Sequence, residues 1–235
     1  MRVLLLSFFF VFSSFNTNNN ITEAEIAPIN FNEIINHKKD SIREMYDTLA
    51  LESLISFKAF EQGLIGLENI APANTNILSI IDFTLPSTAK RMVVLDLKEQ
   101  KILHHTIVAH GRNSGENYAT SFSNTPNSYQ SSLGFYLTEN TYQGENGYSL
   151  RLEGLDKGFN DNAKSRAVVI HGADYCSYEF IKNNGRIGRS MGCPSLPRDI
   201  NDEVINTIKN GTLLYIYADN EEYAQSSEYL TPNRL

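Results

Sequence analysis

The chain has 235 residues, 41% hydrophobic and 20% charged, enough to close one folded domain around a buried core and too apolar for a disordered or fibrous chain. Its 20 Lys and Arg stand against 27 Asp and Glu; a net charge of −7 has the wrong sign for a general binder of phosphate backbones, so no nucleic-acid partner is expected. Two cysteines, Cys176 and Cys193, are too few for a disulfide scaffold or a four-thiolate zinc site, which leaves any cysteine chemistry local.

Met1-Arg2 followed by the apolar run Val3 to Phe12 has the positive start and short hydrophobic stretch of a secretory leader, too short to span a bilayer comfortably. Residues 1–20 are therefore assigned to a signal peptide and the start of a linker, with Ser13-Ser14 as a small-residue cleavage site; an uncleaved anchor is the alternative. No later apolar run of about 18 residues occurs, so no membrane span is expected after signal removal, and the protein is expected to be exported to the periplasm or cell envelope. Residues 21–39, in an Asn-rich stretch with little to bury, are expected to form a flexible linker.

A helical segment is expected over 40–74. Ser41 and Glu44 form a capping-box candidate, and Ile42, Met45, Leu49, Leu51, Leu54 and Ile55 recur near helical spacing. Ala71-Pro72-Ala73-Asn74 breaks it and marks the expected domain boundary, after which short β-type runs follow: Leu78–Phe83, Arg91–Leu97, Ile102–Val108, Gly134–Thr138, Ser149–Leu152, Ala167–His171 and Thr212–Tyr217. Residues 75–218 thus read as a mainly β domain, a mostly antiparallel sheet or sandwich with short helices around Ser177–Asn183 and Asn201–Lys209. The long polar connection Gly111–Leu133 is functional by its length, and residues 219–235 read as a frayed acidic tail.

Chemistry concentrates in Ala167-Val168-Val169-Ile170-His171-Gly172 and Gly185 to Ser195. They place a histidine at the end of a buried strand and Cys193 on a glycine-rich turn. A thiolate is the nucleophile, so a catalytic cysteine needs a base within reach or nearby positive charge, for which Arg189 and Arg186 are candidates; each pKa unit needs about 1.4 kcal/mol. The successive N–H groups of Gly192 and Cys193 suit an oxyanion site. Other readings stand beside this: Cys193 as a small buried residue, His171 as a satisfied core histidine, or a Cys176–Cys193 disulfide in an exported protein. Zinc is disfavoured, because His104, His105, His110 and His171 lack ligand spacing on a helix and no carboxylate completes a pattern.

His171-Gly172 followed by Ser190-Met191-Gly192-Cys193 resembles the motif of the L,D-transpeptidase catalytic domain family (YkuD-like). The Arg-Ser-x-Gly-Cys-Pro form is similar to a divergent murein L,D-transpeptidase branch. The resemblance runs from about Ile80 to Tyr217 and includes Ile80-Ile81-Asp82-Phe83, Ala109-His110-Gly111, Ser131 to Tyr136 and Gly158-Phe159-Asn160, with the segment before residue 75 outside it. It implies an L,D-transpeptidase-like β-sandwich and a cell-wall cysteine acyltransferase that cleaves before the terminal D-alanine of peptidoglycan stem tetrapeptides. The acyl group passes to an amine or to water, the latter being carboxypeptidase activity, with no metal or organic cofactor. By position it implies Cys193 as nucleophile, His171 as base, the Gly172 carbonyl as imidazole orienter, Gly192 and Cys193 as oxyanion donors, and Arg189, Ser190, His110 and Gly111 as substrate-binding. The commoner form has a histidine where Met191 stands and an arginine where Ser195 stands. The rival is a non-catalytic peptidoglycan-binding envelope protein with Cys176 and Cys193 joined.

Overall fold

A computed structural model describes residues 31–231; the expected leader and the first part of the expected linker lie outside the described residues. The first helix, α1 (Phe31–Thr48), begins inside the stretch expected to be a flexible linker, and Ser41 falls within it rather than at its cap. A 3-10 turn, Leu51–Ser53, leads to α2 (Phe57–Ile70). The Ser56 hydroxyl caps α2 by accepting from Ala59 N–H, and Ala71 ends it in a left-handed conformation with Pro72 following.

The buried residues of α2, Ala59, Phe60, Gly63, Gly66 and Leu67, fall at helical spacing and press on the sheet. The contact is tight: a Cβ at Gly66 would lie 2.1 Å from the Phe135 ring. Tyr46, Leu49, Ile55 and Phe60 join one apolar cluster with Ile80, Phe135 and Tyr215, so the helical segment is part of the domain's own core.

The strands are β1 (Ile77–Asp82), β2 (Met92–Asp96), β3 (Lys101–Thr106), β4 (Gly134–Gly144), β5 (Gly147–Gly154), β6 (Val169–Gly172), β7 (Ser195–Leu196) and β8 (Leu213–Tyr217). The fold is mainly β with short helices. All eight strands join one mixed sheet in the order β3-β2-β1-β8-β4-β5-β6-β7. Five pairings are antiparallel; β1 with β8 and β6 with β7 are parallel. β1 and β8 are buried along their whole length, and their mostly apolar runs fit strands covered on both faces.

Three helices complete the domain: α3 (Tyr178–Asn184), α4 (Arg198–Ile208) and α5 (Glu221–Ser226). α5 occupies the expected frayed tail. The Asn220 side chain caps it, Tyr223 is buried, and Ser227 hydrogen-bonds buried Asp156 at 2.6 Å, which pins this end to the domain. α4 packs on the β6 end of the sheet, where a Cβ on Gly172 would sit 3.2 Å from the Asn201 side chain; glycine lets the helix approach.

Candidate functional site

Two chain segments converge at the short edge strand β7. Strand β6 brings His171 opposite Ser195, while the stretch after β3 runs along the other side, with Ala109 bridged to Ser195 and Gly111 to Ser190. Cys193 projects from the turn just before β7. Ser190 builds that turn: its hydroxyl accepts from Gly192 N–H at 3.0 Å and donates to the Cys193 carbonyl at 2.6 Å. Gly192 has φ of 127°, and a Cβ there would lie 2.9 Å from the Gln130 carbonyl, so both conformation and space demand glycine. Met191 beside it is 60% exposed.

The Cys193 thiol is half-buried. It accepts from Val169 N–H at 3.5 Å and donates to the Ala167 carbonyl at 3.7 Å. Ala167 holds a positive φ of 54°, an unusual state for a residue with a Cβ. Burial raises the Cys193 pKa above its ordinary value, opposed by the Val169 N–H and by the positive charge of Arg166. The sulfur therefore rests as a thiol at neutral pH.

His171 is 4% exposed. Its Nδ1 lies 3.1 Å from the Gly172 carbonyl, and a carbonyl only accepts, so Nδ1 carries the proton and Nε2 has the free lone pair. Nε2 lies 3.1 Å from Ser195 Oγ, which must donate; Ser195 Oγ in turn lies 3.0 Å from the Tyr175 hydroxyl. The chain thus runs from Tyr175 O–H through Ser195 O–H to His171 Nε2. Burial lowers the His171 pKa, the Gly172 carbonyl works in the opposite direction, and Arg198 lowers it further, so the imidazole is neutral at pH 7. At rest its lone pair sits on Ser195 rather than on the thiol.

Sequence proximity pointed to Arg186 and Arg189 as cations near the thiol, and the fold uses them elsewhere. Glu116 pairs with both, at 3.0 Å to Arg186 and 2.7 Å to Arg189, and Arg189 also donates to the Arg112 and Gly115 carbonyls. The cation at the thiol is Arg166, which the sequence did not single out. Arg166 staples the long polar connection, donating to the Ser123 carbonyl at 2.8 Å, the Gln130 carbonyl at 2.8 Å and the hydroxyls of Ser128 and Ser132. Ser131 anchors the same segment, accepting from Gly111 N–H at 3.0 Å. No periodicity or motif marks Arg166; only its position just before the histidine strand does.

His110 has no exposed surface, which removes it from direct substrate contact. Its Nε2 donates to the Gly115 carbonyl at 3.2 Å, so Nδ1 accepts from Arg91 Nη2 at 2.7 Å. Arg91 is itself fully buried, donating to the Val108 and Leu85 carbonyls beneath the Phe83 ring. Burial, then Arg91, pulls the His110 pKa down to about 4. Gly111 is buried too, and a Cβ there would strike the Tyr129 carbonyl at 2.5 Å.

Among the oxyanion candidates, the Gly192 N–H is occupied by Ser190 Oγ, while the Cys193 N–H makes no hydrogen bond within the described residues. Cys176 is a free, buried thiol that donates to the Ser195 carbonyl at 3.1 Å, and Cys193 is free as well. Among the described residues no group of three or more His, Cys, Asp or Glu is placed to hold a metal ion.

The fold thus brings a cysteine on a glycine-rich turn and a carbonyl-anchored histidine to one edge of the sheet, with Ser195 on the histidine and Ala167 and Val169 on the sulfur. A family model of the L,D-transpeptidase catalytic domain matches residues 51–217, and the chain belongs to that family. The match reaches back to include α2, further than the resemblance read from the motifs. Among solved structures, an L,D-transpeptidase from Mycobacterium smegmatis is similar at 12% identity and TM-score 0.38, over 61% of this chain and 59% of that one. L,D-transpeptidase 3 from Mycobacterium tuberculosis is similar at 12% identity and TM-score 0.39, over 63% and 62%. An L,D-transpeptidase from Xylanimonas cellulosilytica is similar at 12% identity and TM-score 0.34, over 60% of each chain. The chain spans about three fifths of the length of these structures. Comparison with curated proteins gives no match.

Proposed function

We propose that the protein is a cell-wall cysteine acyltransferase acting outside the cytoplasm on peptidoglycan stem tetrapeptides. Cys193 Sγ attacks the carbonyl carbon before the terminal D-alanine while His171 Nε2 takes the thiol proton. The Cys193 N–H stabilises the oxyanion, and the tetrahedral intermediate collapses as His171 returns the proton to the leaving amine of D-alanine. A stem amine or water then attacks the thioester. The observation that carries this reading is the His171 Nδ1–Gly172 carbonyl bond, which leaves the Nε2 lone pair available without any acidic side chain. His171 reaches the sulfur once the Cys193 side chain turns from the Ala167 carbonyl toward β7 and takes the place of the Ser195 hydroxyl.

Ser190 and Arg166 act as positioning residues, the first for the turn and the second for thiol charge and the flanking loop. His110, Arg91 and Gly111 support the segment against which the turn is built. The rival binding module with a Cys176–Cys193 disulfide draws no support from two free thiols.

The test is to incubate reduced protein with a disaccharide tetrapeptide and follow D-alanine release and intact protein mass. D-alanine release with an acyl adduct that Cys193→Ala abolishes is expected; an unmodified thiol and intact substrate would defeat the reading.

A further inference from the structure

A groove of about 270 Å³ opens beside the Ala167–Val169 segment, lined among others by Tyr142, Arg151, Lys164, Ala167 and Val169. Its wall includes Ala167 and Val169, the two residues whose backbone groups hold the Cys193 sulfur at 3.7 and 3.5 Å. Arg151 stands directly opposite Val169 in the β5–β6 register, so the two backbones are one strand spacing apart, ~5 Å. A ligand lying in this groove therefore borders the backbone that holds the Cys193 sulfur.

The charges in the groove are unevenly satisfied. Lys164 is paired with Glu139 at 2.7 Å, and Glu153 lies near enough to favour its charge further. Arg151 has no carboxylate contact among the described residues. Its guanidinium lies instead 4.2 Å from the centroid of the Tyr142 ring. That stacking holds the planar fork in place while leaving its N–H donors free at the groove. Such a fork matches a carboxylate, which it can take in two parallel hydrogen bonds.

We infer that Arg151, held on the Tyr142 ring, binds a free carboxylate of the peptide presented to Cys193, in a subsite formed between β4, β5 and the bend at Ala167. This rests on the proposed acyltransferase reading for the identity of the peptide. Arg186 and Arg189, both paired with Glu116, are not free to make such a contact. A stem tetrapeptide has a carboxylate on its terminal D-alanine, and a second on the third residue when that is a diamino diacid. Both present the same chemistry to Arg151.

Binding is measured on Cys193→Ala, which cannot turn over, with three ligands: a tetrapeptide carrying both carboxylates, its C-terminal amide, and one with lysine as third residue. The Arg151→Gln exchange in that background is expected to weaken the first ligand by about tenfold, with Arg151→Lys recovering part of the loss and Tyr142→Leu losing less. One of the two altered ligands is expected to bind as weakly to the Arg151 protein as the full ligand binds to Arg151→Gln, and to be insensitive to that exchange. This identifies which carboxylate is held and does not depend on the variant's folding alone. In the active protein the same exchange raises KM about tenfold with kcat nearly unchanged. Equal affinity of all three ligands for both proteins, or no tetrapeptide binding at all, overturns the subsite. D-alanine release that is indifferent to Arg151→Gln overturns the subsite and leaves the acyltransferase reading standing. Arg151-dependent binding without any D-alanine release does the reverse.

Discussion

The chain contains two histidine–glycine pairs near the same edge of the sheet, His110-Gly111 and His171-Gly172, and their surroundings differ in kind. Around His110 both ring nitrogens are consumed by fixed partners, the Arg91 guanidinium and the Gly115 carbonyl, with no exposed surface. Around His171 only Nδ1 has a backbone partner; Nε2 meets a serine hydroxyl that can rotate away. Burial lowers both pKa values, yet a fixed cation opposes protonation of His110 at hydrogen-bond distance, whereas His171 has only the more remote Arg198 charge against it. One ring is held on both nitrogens by fixed partners, the other on one nitrogen only. A histidine's chemical use is thus set by what occupies its second nitrogen.

The largest test of this contrast is substitution of each histidine. His171→Ala is expected to reduce D-alanine release by roughly 10²–10⁴-fold with little change in the unfolding midpoint, the usual loss on removing a general base. His110→Asn is expected to act through stability, costing about 1–3 kcal/mol for the partners left unsatisfied, with activity following the folded fraction. Thermal unfolding and initial rates on the same samples separate the two. Equal losses of rate at unchanged stability would abolish the distinction.

Acid stability sharpens it. The unfolded chain protonates a histidine near 6.5, while folded His110 resists until about 4, so between these values the unfolded state binds more protons. Stability is therefore lost as pH falls through that window, by up to about 3 kcal/mol from this residue. The difference in unfolding free energy between the protein and His110→Asn is expected to shrink from pH 7 to pH 4. A difference constant over that range would place His110 in a less confined setting.

What could be foreseen from the sequence divides along physical lines. β1, β2 and β8 were legible to within a residue or two because their apolar runs are buried on both sides or in the core. The outer half of β4, from Glu139 to Gly144, was not, since it extends as a polar hairpin with β5 beyond the core and has no burial pattern to betray it. α1 was likewise cut short, its first turns being too polar to distinguish from a linker. At the site, the motif brought Cys193, His171 and Ser190 forward together, and β6, β7 and the one turn between them carry all three. It misdirected the cations. Arg189 is four residues from Cys193 in sequence, but Glu116, 73 positions earlier than Arg189, captures it; Arg166 reaches the thiol only through the way β6 lies against the turn. Ion pairing between distant loops leaves no periodic trace.

Ser195 offers a finer test. Removing its hydroxyl in Ser195→Ala withdraws a donor that stabilises the neutral form of His171, so the imidazole pKa is expected to rise. The acid limb of kcat/KM is expected to move to higher pH by less than about one unit, with the plateau rate within about tenfold. Tyr175→Phe, which removes only the outer donor, is expected to move the limb in the same direction and less far. A plateau that collapses without any shift of the limb would make Ser195 a structural prop for β7 rather than a partner of the base.

The smallest expected effect belongs to Cys176, which decides whether the thiols are independent. Its sulfur is buried among Ile107, Ala109, Ala173 and Ile187 and bonded to the Ser195 carbonyl, and burial raises its pKa far above that of an ordinary thiol. A protonated, enclosed thiol is a poor partner for disulfide exchange. Cys176→Ala is therefore expected to cost about 1 kcal/mol of stability for the lost packing, to leave D-alanine release within about twofold, and to make no difference to its response to oxidants or reductants. Activity lost on mild oxidation and recovered on reduction in the parent protein, but not in Cys176→Ala, would mean that the two sulfurs meet. Bridging requires Cα atoms within about 7 Å, so the turn carrying Cys193 would have to swing across β7 and away from the strand that now holds its thiol. Such a swing would draw Cys193 out of reach of the Val169 N–H and make the exchangeable region the whole turn, not the single hydroxyl on His171.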